Sequence, residues 1–248
     1  MPSRCPSLPR LHAWLFVILI LFGVSFRTWA GVVDAFDVVA PGEGSIPDGN
    51  LSGLARVLFT TAEERFIQNV SVTVTITPIS GTGWSGDLYL WLRHDVSGRL
   101  AVLMNRVGAV NPASGDLGSG GNGLDRVTFD DQASASDIHG FAVTPSDPAA
   151  PIAGTWASDG RAVSPLSSNL EVVRSALLSD LAGLNPNSGW TLFAVDASGG
   201  NPMQLKDWSV SVTTQNAQAV PEAGGWTAGT AMTVLVLGTL WRRRRARA

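Results

Sequence analysis

The residues with the clearest capacity for chemistry are acidic and lie near the middle of the chain. The densest stretch contains Asp125, Asp130, Asp131, Asp137 and His139. Carboxylate oxygens on a flexible loop are ligands that calcium prefers. We therefore predict a calcium site at Asp130 and Asp131. The spacing does not match an EF-hand loop, and an acidic loop that lies in solvent without an ion is the alternative.

Other chemistries find less support in the residue types. Between the two ends of the chain only two histidines occur, His94 and His139, and the one cysteine is Cys5. Zinc sites are built from grouped cysteines and histidines, so a zinc site is disfavoured. The Gly-x-Ser-x-Gly segment that presents a nucleophilic serine is missing as well. We therefore expect a protein without catalytic activity of its own.

Aromatic residues offer a binding chemistry instead. Trp84, Tyr89 and Trp91 lie in or just before an alternating segment, where their rings are able to stack on sugars. Trp190 and Trp208 lie in two later segments, and we expect them to be core residues rather than ligand platforms.

Two further acidic residues, Asp87 and Asp196, flank predicted strands. Aspartates at such positions commonly accept hydrogen bonds from nearby turn amides. We expect that role for both residues, rather than metal binding.

The distribution of charge excludes one class of partner. The chain has 17 Lys and Arg residues against 20 Asp and Glu residues, a net charge of -3. Eight arginines lie within 1–30 and 242–248, which leaves 9 basic and 19 acidic residues in 31–219. A core with a net charge of -10 lacks the basic surface that phosphate contacts require, so nucleic acid is not an expected partner.

The N-terminal segment 1–30 has the layout of a secretory signal peptide. A basic start is followed by an apolar run over 13–26 and by small residues at Ala30 and Gly31, where a signal peptidase would cut. A retained membrane anchor is the alternative, although the apolar run is shorter than the ~20 residues that span a bilayer. Cleavage removes Cys5, so we expect no disulfide in the exported domain.

The C-terminal segment 220–248 contains a predicted membrane span. An apolar run over 226–241 is bounded by Trp226 and Trp241, and tryptophan is typical of the two membrane interfaces. Positive charges follow directly and favour the cytoplasmic side. These charges belong to Arg242, Arg243, Arg244 and Arg245.

The residues before this span form a short motif. Val220, Pro221 and Glu222 precede the apolar run, with Ala223 next. The arrangement resembles the PEP-CTERM sorting signal of Gram-negative bacteria, although Ala223 stands in place of the second proline. The resemblance implies that an exosortase-type enzyme directs the protein to the outer envelope, cell surface or extracellular matrix. A plain C-terminal anchor is the alternative.

Between these segments, residues 31–219 show the period of two that is typical of β-strands. Apolar and polar residues alternate over 70–77, 88–93 and 208–213. Clusters of turn-forming residues separate the strands, notably over 144–165. We expect an all-β antiparallel sandwich or barrel with one hydrophobic core. Further strands are predicted over 55–60, 99–104, 126–129 and 189–195.

One segment has the period of a helix. Leucine and valine recur at three- and four-residue spacing from Leu170 to Leu184, with Asn169 as a cap and Gly183 near the end. This spacing predicts one short amphipathic helix over 170–182 that packs on the sheets.

Five short segments occur in order over about 44–214. The first four are 46–49, 70–74, 85–92 and 127–131, which begin with Ile46-Pro47-Asp48, Val70-Ser71-Val72, Ser85-Gly86-Asp87 and Val127-Thr128-Phe129. The fifth is a pair of strands, 189–196 and 205–210, which begin with Gly189-Trp190-Thr191 and Leu205-Lys206-Asp207. Together they resemble the P domain (P/Homo B domain) of subtilisin-like proprotein convertases. The resemblance implies a jelly-roll β-sandwich. No segment resembles the catalytic domain of that family, so we expect no protease activity.

Three functions follow from these patterns. The first is a non-catalytic surface or matrix protein that engages exopolysaccharide, an envelope protein or copies of itself. The second is a regulatory or targeting module for a separately encoded subtilisin-like protease. The third is a carbohydrate-binding jelly roll that uses Trp84, Tyr89 or Trp91. We favour the first because the sorting tail directs the domain to its own location rather than to a catalytic partner.

Overall fold

Strands dominate the part of the chain that the structure describes. The computed structural model describes residues 30–38, 43–62, 65–142, 150–169 and 171–215. In chain order the strands are β1 (Ala30–Val38), β2 (Asn50–Thr60), β3 (Phe66–Pro78), β4 (Leu88–His94), β5 (Arg99–Asn105), β6 (Leu124–Phe129), β7 (Ile152–Trp156), β8 (Ser188–Asp196) and β9 (Met203–Gln215). Helical structure in these ranges is limited to 3-10 turns at Ser85–Asp87, Pro112–Ser114, Ile138–Gly140 and Leu178–Leu181.

The strands form two sheets. The five-stranded sheet has the order β1-β9-β3-β6-β7, and the four-stranded sheet has the order β2-β8-β4-β5. Neighbouring strands pair antiparallel, except β6 and β7, which are parallel. Several consecutive strands, such as β2 and β3, lie in different sheets, so the chain crosses repeatedly between the two layers.

The alternating apolar residues of both sheets form one hydrophobic core. In the five-stranded sheet, Val72 and Val74 of β3 lie opposite Val210 and Trp208 of β9, and all four are fully buried. The inward residues of β4 and β8 in the four-stranded sheet belong to the same cluster. The two sheets therefore pack face to face, and the expectation of an all-β domain is confirmed. The inward residues of the four-stranded sheet are Leu88, Leu90, Leu92, Trp190, Leu192 and Ala194.

All seven strands predicted from the sequence are present, and most extend beyond the predicted bounds, whereas β1 and β7 were not predicted. β7 places only Ile152 in the core, whereas residues 153–155 are exposed, so its sequence carries no periodic signal. The strand is held instead by parallel pairing with β6, from Leu124 opposite Ile152 to Phe129 opposite Trp156. β1 is an edge strand that pairs with β9.

The predicted helix over 170–182 is wrong. Only Leu178–Leu181 is helical, as a single 3-10 turn, and the preceding residues form an extended loop beside β5. The amide of Val102 donates to the carbonyl of Ala176 at 2.9 Å, and the Ala176 amide donates to Gly160 at 3.0 Å. Because these backbone groups are paired with β5 and a second loop, they do not form helical hydrogen bonds. Val173, which belongs to the predicted apolar stripe, is 78% exposed.

Most of the two terminal segments lies outside the described residues. Ala30 and Gly31 begin β1, opposite Gln215 and Thr214 of β9. Residues 1–29 and 216–248 are not described, so the leader and the whole sorting tail stay predictions. In the described ranges no helix is long and apolar enough to cross a membrane. The tail residues concerned are Val220, Pro221, Glu222, Trp226, Trp241, Arg242, Arg243, Arg244 and Arg245.

Candidate functional site

The predicted calcium residues follow β6, where each carboxylate accepts hydrogen bonds from the protein. Asp130 Oδ1 accepts from Asn69 Nδ2 at 3.1 Å and from the Gln132 amide at 2.9 Å. Asp131 accepts from the amide and hydroxyl of Ser158 at 2.8 and 2.7 Å, and from the Ser179 amide at 2.9 Å. These contacts join three loops. The calcium hypothesis for Asp130 and Asp131 stays a prediction.

Asp137 and His139, from the same acidic stretch, belong to a buried network with Asp159 and Arg161. His139 Nδ1 lies 2.7 Å from Asp159 Oδ2, and both side chains are fully buried. Arg161 Nη1 donates to Asp137 Oδ2 at 2.8 Å and to Asp159 Oδ1 at 3.2 Å. The network joins the 3-10 turn Ile138–Gly140 to the loop after β7, so these residues stabilise the fold.

Three other carboxylates lie at one end of the four-stranded sheet. Asp87 directly precedes β4, Asp196 ends β8, and Asp48 lies in the turn before β2. The antiparallel register places Asp196 opposite Leu88 on one side and Asn50 on the other. We call Asp48, Asp87 and Asp196 the carboxylate cluster. No sequence motif joins them, because only strand pairing brings these distant positions together.

Asp87 has one positively charged partner. Its Oδ1 accepts from Arg106 Nη2 at 3.2 Å, and both side chains are almost fully buried. The guanidinium also donates to the carbonyls of Gly86 and Asp116, each at 3.1 Å. Burial raises the pKa of Asp87 from 3.8 to about 6, because the loss of hydration outweighs the attraction of Arg106.

Asp196 has no such partner. Its side chain is buried, with 1% of the residue exposed, and neither carboxylate oxygen accepts a hydrogen bond of ordinary geometry. Burial raises its pKa to about 7, and the charges of Asp87 and Asp48 add to the rise. A hydrogen bond from the Ser198 amide, outside the ordinary range of distance and angle, lowers the pKa. From the turn amides Asp196 therefore receives only this Ser198 contact, and Asp87 is bound by a guanidinium rather than by a turn amide.

The opposite, outer side of the four-stranded sheet carries aromatic rings. Trp91 of β4 lies beside Phe193 of β8, with ring centroids 4.8 Å apart and an interplanar angle of 28°. Tyr89 lies two residues before Trp91 on the same side, and all three side chains are half-buried. We call Tyr89, Trp91 and Phe193 the outer aromatic face. Phe193 was not among the predicted stacking residues, because strand pairing alone places it next to Trp91.

Gly53 of β2 lies under one of these rings. Its φ is +58°, and a Cβ there would lie 2.6 Å from the ring of Phe193. The missing side chain therefore lets Phe193 lie against the backbone of β2. Trp84, in contrast, is not part of the face, because its Nε1 donates to the Leu117 carbonyl at 2.8 Å in a separate loop.

Polar and apolar groups border the outer aromatic face. Arg93, which follows Trp91 on that side of β4, donates from Nε to Asp95 Oδ1 at 2.8 Å. Thr191 Oγ1 donates to the same carboxylate at 2.9 Å. Phe59 on β2 is 75% exposed beside them. A flat stacked pair with hydrogen-bonding groups at its border is able to bind a ligand that has both apolar and hydroxyl surfaces.

Similarity to known proteins is found among solved structures. No family model and no curated protein matches the sequence. A crystal structure of a serine protease from Aeromonas sobria in complex with a chaperone aligns with 76% of this chain, at 14% identity and a TM-score of 0.41. The structure of that protease without the chaperone aligns with 75%, at 13% identity and a TM-score of 0.40.

The chain spans 28% of the length of the protease in the complex and 27% of the protease alone. The resemblances to the P domain and to the PEP-CTERM signal stay predictions.

Proposed function

We propose that this chain is an exported, non-catalytic surface or matrix protein whose jelly-roll β-sandwich binds exopolysaccharide. The observation that carries the proposal is the stacked pair Trp91 and Phe193 on the outer side of the four-stranded sheet. The leader and the sorting tail predicted from the sequence supply the location. An exosortase-type enzyme and a signal peptidase are the partners that process the two ends.

The chemistry of the outer aromatic face favours a sugar polymer. The C–H faces of a sugar ring stack on an aromatic side chain, and its hydroxyls form hydrogen bonds at the border. Arg93 and Asp95 supply a donor and an acceptor there, and the Arg93 side chain is 45% exposed. A net charge of -10 over 31–219 repels polyanions, so the polymer is expected to be neutral.

Trp91→Ala is expected to weaken binding of exopolysaccharide about tenfold, because a central stacking ring is lost. The measurement is affinity electrophoresis of the full chain in gels that contain neutral exopolysaccharide from the cells that produce the protein. Trp91→Phe keeps a stacking ring and is expected to retain most of the affinity. Trp84→Ala removes a tryptophan outside the face, so its affinity is expected to equal that of the unsubstituted chain.

Two results would count against this proposal. One is unchanged migration of a folded Trp91→Ala protein, as checked by circular dichroism. The other is recovery of one subtilisin-like protease in stoichiometric yield when the full chain is isolated from the envelope. That second result would instead make the chain a regulatory or targeting module for the protease.

Deletion of residues 220–248 is expected to release the protein into the medium, because the predicted span is lost. Immunoblots of medium and membrane fractions measure the change. The double substitution Pro221→Ala with Glu222→Ala is the matched control, since it keeps the span but removes the motif. We expect it to leave the protein in the cytoplasmic membrane if an exosortase-type enzyme reads the motif. Retention of the truncated protein in membranes would contradict the anchoring role.

A further inference from the structure

We infer that the carboxylate cluster, Asp48, Asp87 and Asp196, is a calcium site at the end of the four-stranded sheet. The site is separate from the outer aromatic face and from Asp130 and Asp131. The inference goes beyond the proposed function and does not depend on it, because it concerns the cohesion of the fold rather than a surface ligand.

The first observation is the state of Asp196. Buried polar atoms in folded proteins almost always have a hydrogen-bond partner, and an exception calls for an explanation such as a bound ion. Both oxygens of the Asp196 carboxylate lack a partner of ordinary geometry, although only 1% of the residue is exposed. A calcium ion would give these oxygens a partner, because a carboxylate binds calcium through one or both of its oxygens.

The second observation is the balance of charge. When ionised, the three carboxylates carry three negative charges, and Arg106 supplies one positive charge through Asp87. The guanidinium also donates to the carbonyls of Gly86 and Asp116, and no hydrogen bond among the described residues joins it to Asp196. A net charge of -2 therefore remains: the charge of Asp196 is buried, where unpaired charge is costly, and that of Asp48 is exposed beside it. One divalent cation neutralises it.

The third observation is the kind of ligand atoms available. The cluster offers carboxylate oxygens, and the Ser198 hydroxyl, which hydrogen-bonds Asp87, adds another oxygen beside them. Calcium accepts six to eight such oxygens in variable geometry, whereas zinc prefers nitrogen and sulfur. A Cβ on Gly49 would lie 3.0 Å from the Gly199 amide nitrogen, so the turn of Asp48 and the loop after β8 are in close contact.

The described residues do not include three acidic, histidine or cysteine side chains already grouped as a metal site. Asp48 lies on an exposed turn, and it accepts from the Gly200 amide at 3.0 Å. We therefore expect this turn to move toward Asp87 and Asp196 when calcium binds. Calcium binding then joins the start of β2, the start of β4 and the end of β8.

Thermal unfolding of the full chain in detergent, in calcium chloride and in EDTA, tests the inference. At free calcium about a hundred times Kd, Tm is expected to rise by about 5–10 °C relative to EDTA. Asp196→Asn is expected to abolish this shift. In EDTA the same substitution is expected to raise Tm above that of the unsubstituted chain, because it removes a buried negative charge without changing the size of the side chain.

Matched variants locate the ion. Asp48→Asn changes an exposed side chain and is expected to leave Tm in EDTA unchanged, while calorimetric titration with calcium chloride shows affinity weakened at least tenfold. Asp130→Asn keeps the calcium shift if the ion binds at the carboxylate cluster. Loss of the shift in Asp130→Asn with retention in Asp196→Asn would instead place the ion at Asp130 and Asp131. An identical Tm in calcium and EDTA would overturn the inference, and Asp196 would then be a protonated buried residue.

Discussion

Replacing Trp190 with alanine is expected to lower the free energy of unfolding by about 3–5 kcal/mol. Trp190 lies on β8, in the four-stranded sheet, and its side chain is fully buried among residues of both sheets. Its ring contacts His94 edge to face, with centroids 4.8 Å apart and an interplanar angle of 76°. Alanine would leave a large cavity in the middle of the core. Backbone hydrogen bonds between the surrounding strands limit the movement that could fill this cavity.

A lost hydrogen bond adds to the cavity. Trp190 Nε1 donates to Thr60 Oγ1 at 2.8 Å, and Thr60 in turn donates to the carbonyl of Pro186. Thr60 is buried, so bulk water cannot replace the indole as the hydrogen-bond donor to its hydroxyl. Trp190→Phe keeps part of the ring volume but not the donor, and is expected to cost less than Trp190→Ala.

Trp91→Ala is the matched control, because it removes the same side chain from the same sheet on the opposite side. Trp91 is half-buried and stacks on Phe193, so we expect a loss of about 1–2 kcal/mol. Urea unfolding of the full chain, followed by circular dichroism, measures both values. Equal losses of unfolding free energy in the two variants would show that the core around Trp190 is not the main source of stability.

Asp159→Ala is expected to lower the free energy of unfolding by about 3–5 kcal/mol near pH 6, because it leaves buried cationic partners uncompensated. Asp159 is fully buried and accepts from His139 at 2.7 Å. It also accepts from the Asn105 amide at 3.1 Å and from Arg161 Nη1 at 3.2 Å. One carboxylate thus joins β5, the Ile138–Gly140 turn and the loop after β7.

The size of this loss depends on the protonation of His139. Its Nδ1 faces the Asp159 carboxylate, and its Nε2 faces the Ala109 carbonyl at 3.1 Å, so the imidazolium form donates to both. Burial lowers the pKa of His139, but the hydrogen bond and charge of Asp159 and the Ala109 carbonyl outweigh burial. The net result is a pKa above the ordinary 6.5.

The direction of the pH dependence follows from linkage. Because the folded pKa of His139 is higher than the unfolded one, its stabilisation is complete below pH 6.5 and is lost as the pH rises through the folded pKa. The difference in unfolding free energy between the unsubstituted chain and Asp159→Ala is therefore expected to shrink over that range. Asp87 and Asp196 titrate in both proteins, so taking the difference removes their contribution.

Asp130→Asn serves as the control for this series, because the carboxylate of Asp130 accepts from Asn69 and Gln132 rather than from His139 or Arg161. Its effect on the free energy of unfolding is expected to be the same at both ends of the pH range. A loss in Asp159→Ala that is constant from about pH 6 to about pH 9 would rule out an imidazolium at His139.

The strands of the fold were predictable where one side of a strand is buried and the other is not. Residues 70–77 and 208–213 alternate strictly, and in the structure their apolar members lie opposite one another in the core. β7 was not predictable, because it buries Ile152 alone and depends on its pairing with β6. The segment 171–177 has helical spacing, yet hydrogen bonds to β5 and Gly160 take its backbone groups.

The candidate sites were predictable to a smaller degree. Trp84, Tyr89 and Trp91 were candidates for stacking on sugars, and of these Tyr89 and Trp91 lie on the outer aromatic face, whereas Trp84 does not. Asp130 and Asp131 were predicted as a calcium site because acidic residues are dense in that segment. Asp196 was expected to accept hydrogen bonds from turn amides, since an isolated aspartate at the end of a strand resembles an ordinary turn residue until its surroundings are known.

The all-β class and the buried side of most strands follow from the order of residues along the chain, because alternation is a local property of neighbouring residues. Tertiary structure decided that Asp48, Asp87 and Asp196 lie at one end of a sheet and that Phe193 stacks on Trp91. Register between distant strands sets those neighbours. Burial then determines whether a carboxylate is hydrated, paired or left without a partner, and no single segment of the chain contains that information.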